Sequence, residues 1–401
     1  MKKSLVLLIS IFCVVMLSGV QTAFCEMSNY ELEQEVKVLK EQLKERKGIL
    51  DKFDAFEKWS ERLSFSGLIE VEAFTRDGYN GEDESDITLA TVELGLDAQI
   101  ADWVSGQIVL LWEEDDTEPM DVDVGTITLG NMKMFPIYLT AGKMYVPFGN
   151  FESNMIQDPL TLEIGETRES AVQVGFEHSG FYGSVYTFNG DIDENGEDNE
   201  VKCFGANAGY AFENDNISFD IGAGWINNLI DSDGLGDRFE EMIEGYATDT
   251  GSETGWALRD YVDGFAVHAI INFGPATLIG EYVGAADDIE WNVSDDTAGA
   301  TMAALGRNPV EKTGEPKAWN LELAYTVEVM SKETTFALGF QGTDDLAGIL
   351  PEERYMASIG VGIAENTSFT LEYLHDEDYD QNEGGTGDDA DMVTVQLAIE
   401  F

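Results

Sequence analysis

The side chains best placed for chemistry are carboxylates that alternate with apolar residues. Glu70, Glu72, Glu93, Asp97, Asp220, Glu281, Glu322, Glu372 and Glu400 all lie in a two-residue rhythm, as in LIEVEAF and WNLELAYTVEV. Carboxylates at that spacing share one face of an extended strand, where they attract cations and hold water. A second set falls in GKMYVPFGNFESNMIQDPLTLEIGETRE, which combines Glu152, Asp158, Glu163 and Glu166 with Arg168 and the aromatics Phe148 and Phe151. A third is the acidic run DIDENGEDNE, in which Asp191, Asp193, Asn195 and Gly196 fall at the positions of a calcium-binding loop. Lys202 stands in the twelfth place, where a bidentate glutamate is required, so this run is only a weak Ca²⁺ candidate. Asp231, Asp233 and Asp237 invite the same reading with less support. His178, His268 and His375 are scattered without ligand spacing, and neither a GxSxG elbow nor a phosphate-binding glycine loop occurs. The residues therefore imply neither an enzyme nor a bound cofactor.

The elements that must position these groups begin after a predicted cleaved signal peptide over residues 1–25. Lys2 and Lys3 precede an apolar run from Leu5 to Val20, and Ala23-Phe24-Cys25 supplies a cleavage site before Glu26. Cleavage removes Cys13 and Cys25, leaving Cys203 with no partner for an internal disulfide. The formal charge of −56 excludes nucleic acid and anionic membrane surfaces as partners, yet a chain 43% hydrophobic and 11% aromatic folds. Over residues 26–63, Leu32, Val36, Leu39, Leu43, Leu50 and Phe53 repeat at spacings of four and three. That is the seam of a short periplasmic coiled coil, and a seam so narrow predicts self-association, with a homotrimer as the expected state.

From Ser64 the period is two, and it stays two to Phe401. The pattern predicts sixteen strands, from 64–75 to 391–401, each long enough to cross a bilayer when tilted. Every second connection is a tight turn, such as Ser179-Gly180 or Gly274-Pro275, and the others are mostly long, glycine-rich and acidic. A jelly roll or propeller gives no reason for that asymmetry, whereas an outer-membrane barrel does. The expected fold is all-β: a 16-stranded antiparallel transmembrane β-barrel over residues 64–401, preceded by the N-terminal α-helical coiled coil. Its apolar faces would meet outer-membrane lipid, and Phe401, an aromatic on the closing strand, would be read by the barrel-assembly machinery. The nine alternating carboxylates would then line a water-filled, cation-preferring lumen. The irregular segment after Gly142 becomes an outer connection between the fifth and sixth strands. Two readings stay open for it: it folds into the mouth and narrows it, or it packs over the rim.

The same segment, followed by AVQVGFEHSGFYGSVYTFNG, resembles the hallmark region of the LbtU-type siderophore porin family. The resemblance implies an outer-membrane porin linked to uptake of ferric siderophore, and it assigns no ligand residues. A general diffusion porin for small solutes, or a structural tether between outer membrane and cell wall, are the alternatives.

Overall fold

The structure, a computed structural model, describes residues 37, 40, 60, 62–81, 83–114, 119–192, 200–238, 256–293 and 314–401. The chain divides into two units, Met1–Glu61 and Arg62–Phe401. The predicted signal peptide and the seam residues Leu32, Val36, Leu39, Leu43, Leu50 and Phe53 lie outside the described residues.

The second unit is built of strands. In chain order they are β1 (Leu63–Asp77), β2 (Asp83–Ala101), β3 (Val104–Trp112), β4 (Asp121–Asn131), β5 (Phe135–Tyr145) and β6 (Arg168–His178). There follow β7 (Phe181–Phe188), β8 (Cys203–Glu213), β9 (Ile217–Ile226), β10 (Trp256–Leu258), β11 (Gly264–Phe273) and β12 (Ala276–Ala285). The last are β13 (Trp291–Val293), β14 (Lys317–Val329), β15 (Lys332–Asp344), β16 (Glu353–Ala364), β17 (Thr367–Glu377) and β18 (Asp389–Glu400). Sixteen of them form one closed barrel in which each strand pairs with its neighbour and β1 returns to β18; β10 and β13 form a separate two-stranded ribbon within the loops. All barrel pairings are antiparallel, and closure runs in register from Leu68 opposite Glu400 to Asp77 opposite Asp391.

The side-chain alternation sorts itself as a bilayer requires. On β14, Leu321 and Leu323 are 50% and 51% exposed on the outside, while Asn320 and Glu322 are 2% and 1% exposed on the inside. Apolar side chains thus face out and polar ones in, the reverse of a protein that folds in water. A bulge between Glu70 and Glu72, where β1 meets β2, keeps this sorting across a change of parity: Ile87 and Leu94 both point outward. Aromatic rows mark both rims. Trp319, Phe340 and Tyr355 form one, with ring centroids 4.5 and 4.9 Å apart. Phe181, Tyr210, Phe219 and Phe212 form the other.

Connections alternate as the sequence pattern implies: two residues join β6 to β7, β11 to β12, β14 to β15 and β16 to β17, and long segments join the opposite ends. The largest buried apolar cluster lies among these long segments and the wall they cover. It gathers Phe148, Leu160, Ile164, Phe188, Leu229, Ile230, Leu258 and Ile289.

Candidate functional site

The segment 146–167 between β5 and β6 lies against the inner wall of the barrel, bonded to inward side chains of β12, β14, β15, β16 and β17. Its ends close on each other, Val146 N–H donating to the Thr167 carbonyl at 2.9 Å. It contains a helix, α1 (Leu160–Gly165), and is otherwise irregular. Irregular backbone taken out of water needs acceptors for its N–H groups. The wall cannot supply backbone carbonyls, because the strands have consumed theirs in the barrel ladder, so inward carboxylates do it instead.

Glu281 of β12 accepts from Asn150 N–H (2.8 Å), Phe151 N–H (3.1 Å) and Thr161 Oγ1 (3.0 Å). Glu322 of β14 accepts from Ser153 Oγ (2.8 Å), Asn154 N–H (2.9 Å) and Asn154 Nδ2 (2.5 Å). Glu372 of β17 accepts from Ile156 N–H (2.5 Å) and Gln157 N–H (3.2 Å). Leu160 N–H donates to Gln341 Oε1 of β15 at 3.0 Å, and Ser358 Oγ of β16 donates to the Asn154 carbonyl at 3.2 Å. These bonds carry the segment sideways around the inner wall from β12 to β17. Its start lies flat on β9 because that wall has glycine: a Cβ at Gly224 would sit 1.8 Å from the Phe148 carbonyl oxygen. At the other end Arg168 pairs with the buried Asp123 of β4 at 2.7 Å, and Tyr145 Oη donates to the same oxygen at 2.7 Å.

The nine inward carboxylates therefore divide. Glu281, Glu322 and Glu372 face inward but are buried beneath the inserted segment, which corrects the expectation that they line open water. The reason is their role as acceptors for a distant stretch of backbone. Glu70, Glu72, Glu93, Asp97, Asp220 and Glu400 remain reached by solvent. Asp220 accepts from Tyr182 Oη at 2.6 Å and lies 3.5 Å from His268 Nε2.

Of the segment's own predicted residues, Phe148 is buried against the wall, while Phe151 packs its ring on Gly149 and Gly165. Glu152 and Asp158 project into the lumen. Asp158 is wet yet enclosed by barrel, and that enclosure, with Glu163, Glu113, Glu72 and Glu70 as neighbours, pushes its carboxyl up to about 6. Burial, reinforced by Asp233, Asp158 and Asp123, pushes Glu166 up to about 8. Burial also raises Glu163, against the pull of Arg354 and Arg238. Acid on the segment is thus grouped with acid on β1 and just beyond β3.

Sequence reasoning missed Asp123, Gln341, Ser153, Asn154 and Gly224. Gln341 and Gly224 stand on the inward side of their strands and could have been found from parity alone, whereas Asp123 sits at a bulge between β3 and β4 where parity changes. Ser153 and Asn154 carry no such signal. Of the weak Ca²⁺ candidate, Asp191 gives its backbone N–H to Asp231, and Asp193 and Asn195 lie outside the described residues. Among the described residues, no group of three or more His, Cys, Asp or Glu side chains is arranged to hold a metal.

A closed sixteen-strand barrel, apolar outside and polar within, is the architecture of outer-membrane porins, and it places the chain in the outer membrane. Solved porins share it. The anion-selective porin from Comamonas acidovorans superposes with a TM-score of 0.54 at 12% identity, over 84% of this chain and 99% of that one. OprB from Pseudomonas putida superposes with a TM-score of 0.56 at 11% identity, over 86% and 96%. No protein-family model matches the chain. Its homologues are UPF0422 proteins: one from Coxiella burnetii is 30% identical over 334 residues, 81% of this chain and 66% of the relative. Another, from Legionella pneumophila, is 26% identical over 374 residues, covering 84% and 66%. The match thus spans 66% of the length of these relatives.

Proposed function

We propose that the protein is a porin whose water-filled, acidic lumen passes small solutes with a preference for cations. One observation carries this reading: Asp158 on the inserted segment is grouped with Glu163 of the same segment and with Glu113, Glu72 and Glu70 of the barrel, so a permeating ion meets clustered negative charge. Carboxylates clustered in a path of lowered dielectric raise the local cation concentration and exclude anions. The resemblance to siderophore porins supports a second reading, in which the solute is a ferric siderophore. An acidic lumen favours neutral or cationic chelates over anionic ones. The coiled coil over residues 26–63 is proposed to join three copies on the periplasmic side, and Phe401 to mark the chain for barrel assembly.

Planar-bilayer recording of the refolded protein in a salt gradient tests the first reading. The expected reversal potential has the sign of a cation-preferring channel, and Asp158→Asn moves it toward zero; an anion-preferring sign overturns the proposal. Block by ferric siderophore at concentrations that leave simple salts unaffected supports the second reading, and unhindered conductance speaks for general diffusion.

A further inference from the structure

Away from the lumen, Asp231 lies in the turn Leu229–Asp231 after β9 and packs on the chain leaving β7. Its Oδ1 accepts from the N–H groups of Asp191 (2.7 Å) and Ile192 (2.9 Å). The carboxylate rests on Gly190 so closely that a Cβ there would fall 2.3 Å from Oδ2. Oδ2 itself has no hydrogen-bond partner. Asn228 of the same turn donates from Nδ2 to the carbonyl of that same Ile192 at 3.4 Å, which leaves its Oδ1 without a partner. Ser232 Oγ and Asn189 Oδ1, one residue beyond Asp231 and one before Gly190, also have none.

Asn228, Ser232 and Asp231 are 0%, 1% and 5% exposed, so bulk water does not complete their bonding. Each buried oxygen left bare costs about 1–3 kcal/mol, and four of them in one place require a common explanation. The charges point the same way, for Asp231 is buried beside two further acids, Glu169 and Asp191. Every orphan is an oxygen. The soft donor Cys203 Sγ meets the nitrogen end of Asn228 at 3.9 Å. One carboxylate, two amide oxygens and a hydroxyl suit a hard cation that tolerates irregular coordination, which is Ca²⁺ before Mg²⁺ or Zn²⁺.

We propose that Asp231, Asn228, Asn189 and Ser232 form a Ca²⁺ site that ties the β7–β8 connection to the turn after β9. The site is independent of what the lumen conducts.

The test is calorimetric titration of the full chain, folded in detergent and stripped with chelator, using CaCl₂ against MgCl₂, with thermal unfolding in parallel. So acidic a surface also binds cations diffusely, and the decisive comparison is with Asp231→Asn. That variant keeps the acceptor for Asp191 and Ile192, so it suits the same fold. The expected result is one saturable Ca²⁺ per chain, with a dissociation constant at or below about 0.1–1 mM. It raises the unfolding midpoint more than Mg²⁺ does, and both effects vanish in Asp231→Asn. A titration without a saturable phase, or one that Asp231→Asn leaves intact, overturns the site and leaves a protonated Asp231 in its place. Should that variant not fold, Ser232→Ala must still weaken binding by roughly 10-fold, and an unchanged affinity overturns the site equally.

Discussion

Glu322 shows what an inward carboxylate does when it is not left in water. Buried, it is compensated by three donors from Ser153 and Asn154. Charge-assisted hydrogen bonds of this kind are about twice as strong as neutral ones, which is why the segment is held by acids and not by amides alone. Glu322→Ala strands the Asn154 N–H at a cost of about 1–3 kcal/mol. The expected outcome is a looser inserted segment with larger, noisier single-channel conductance, and identical traces would mean that Glu322 does not hold it. Phe151 shows the strain this attachment tolerates, since its φ of 59° is left-handed for a bulky residue. Two interactions over-determine it, the Glu281 carboxylate on its N–H and the close seat of its ring on Gly149 and Gly165.

At the scale of elements, the segment 146–167 and the wall it covers are fitted to each other. Gly224 is the tightest point, and in Gly224→Ala the added methyl meets carbonyl oxygen that belongs to the segment and not to the barrel. The ladder of β9 cannot give way, so the segment must, and conductance is expected to rise while resistance of the barrel to heat and detergent stays unchanged. Loss of barrel stability would place the strain in the wall. The segment's acids also make its seating pH-dependent. Glu166, at about 8 instead of the ordinary 4.5, binds its proton more tightly in the folded protein than in the unfolded chain. A raised carboxyl of this kind contributes stability that is fully present below about 4.5 and is lost as pH rises from there through about 8. Proteolytic nicking within 146–167, or gating noise, is therefore expected to increase from about pH 5 to about pH 8 and to level off above it. Glu166→Gln removes the dependence, and a flat wild-type profile would show that the carboxyl is already ionised.

For the whole molecule, the barrel unit Arg62–Phe401 closes on itself through β1 and β18. Deleting residues 26–61 is expected to leave a folded barrel but to convert concentration-independent trimers to monomers in light scattering. Trimers that persist would assign association to the barrel wall. The barrel was legible in advance because each strand is a local pattern: the alternating WNLELAYTVEV falls in β14 (Lys317–Val329), and its parity already said which face meets lipid. The ribbon of β10 and β13 was not, since three-residue strands carry no period. Nor was the division among the carboxylates. Ile156 reaches Glu372 across 216 positions, and no spacing in the sequence announces such a partner. Alternation, turns and charge were enough, on their own, to make this chain a barrel with acid inside, because lipid and water act on one residue at a time. Which of those acids would meet water and which would hold a folded-in segment was decided only in three dimensions, because a carboxylate's solvation depends on what packs over it.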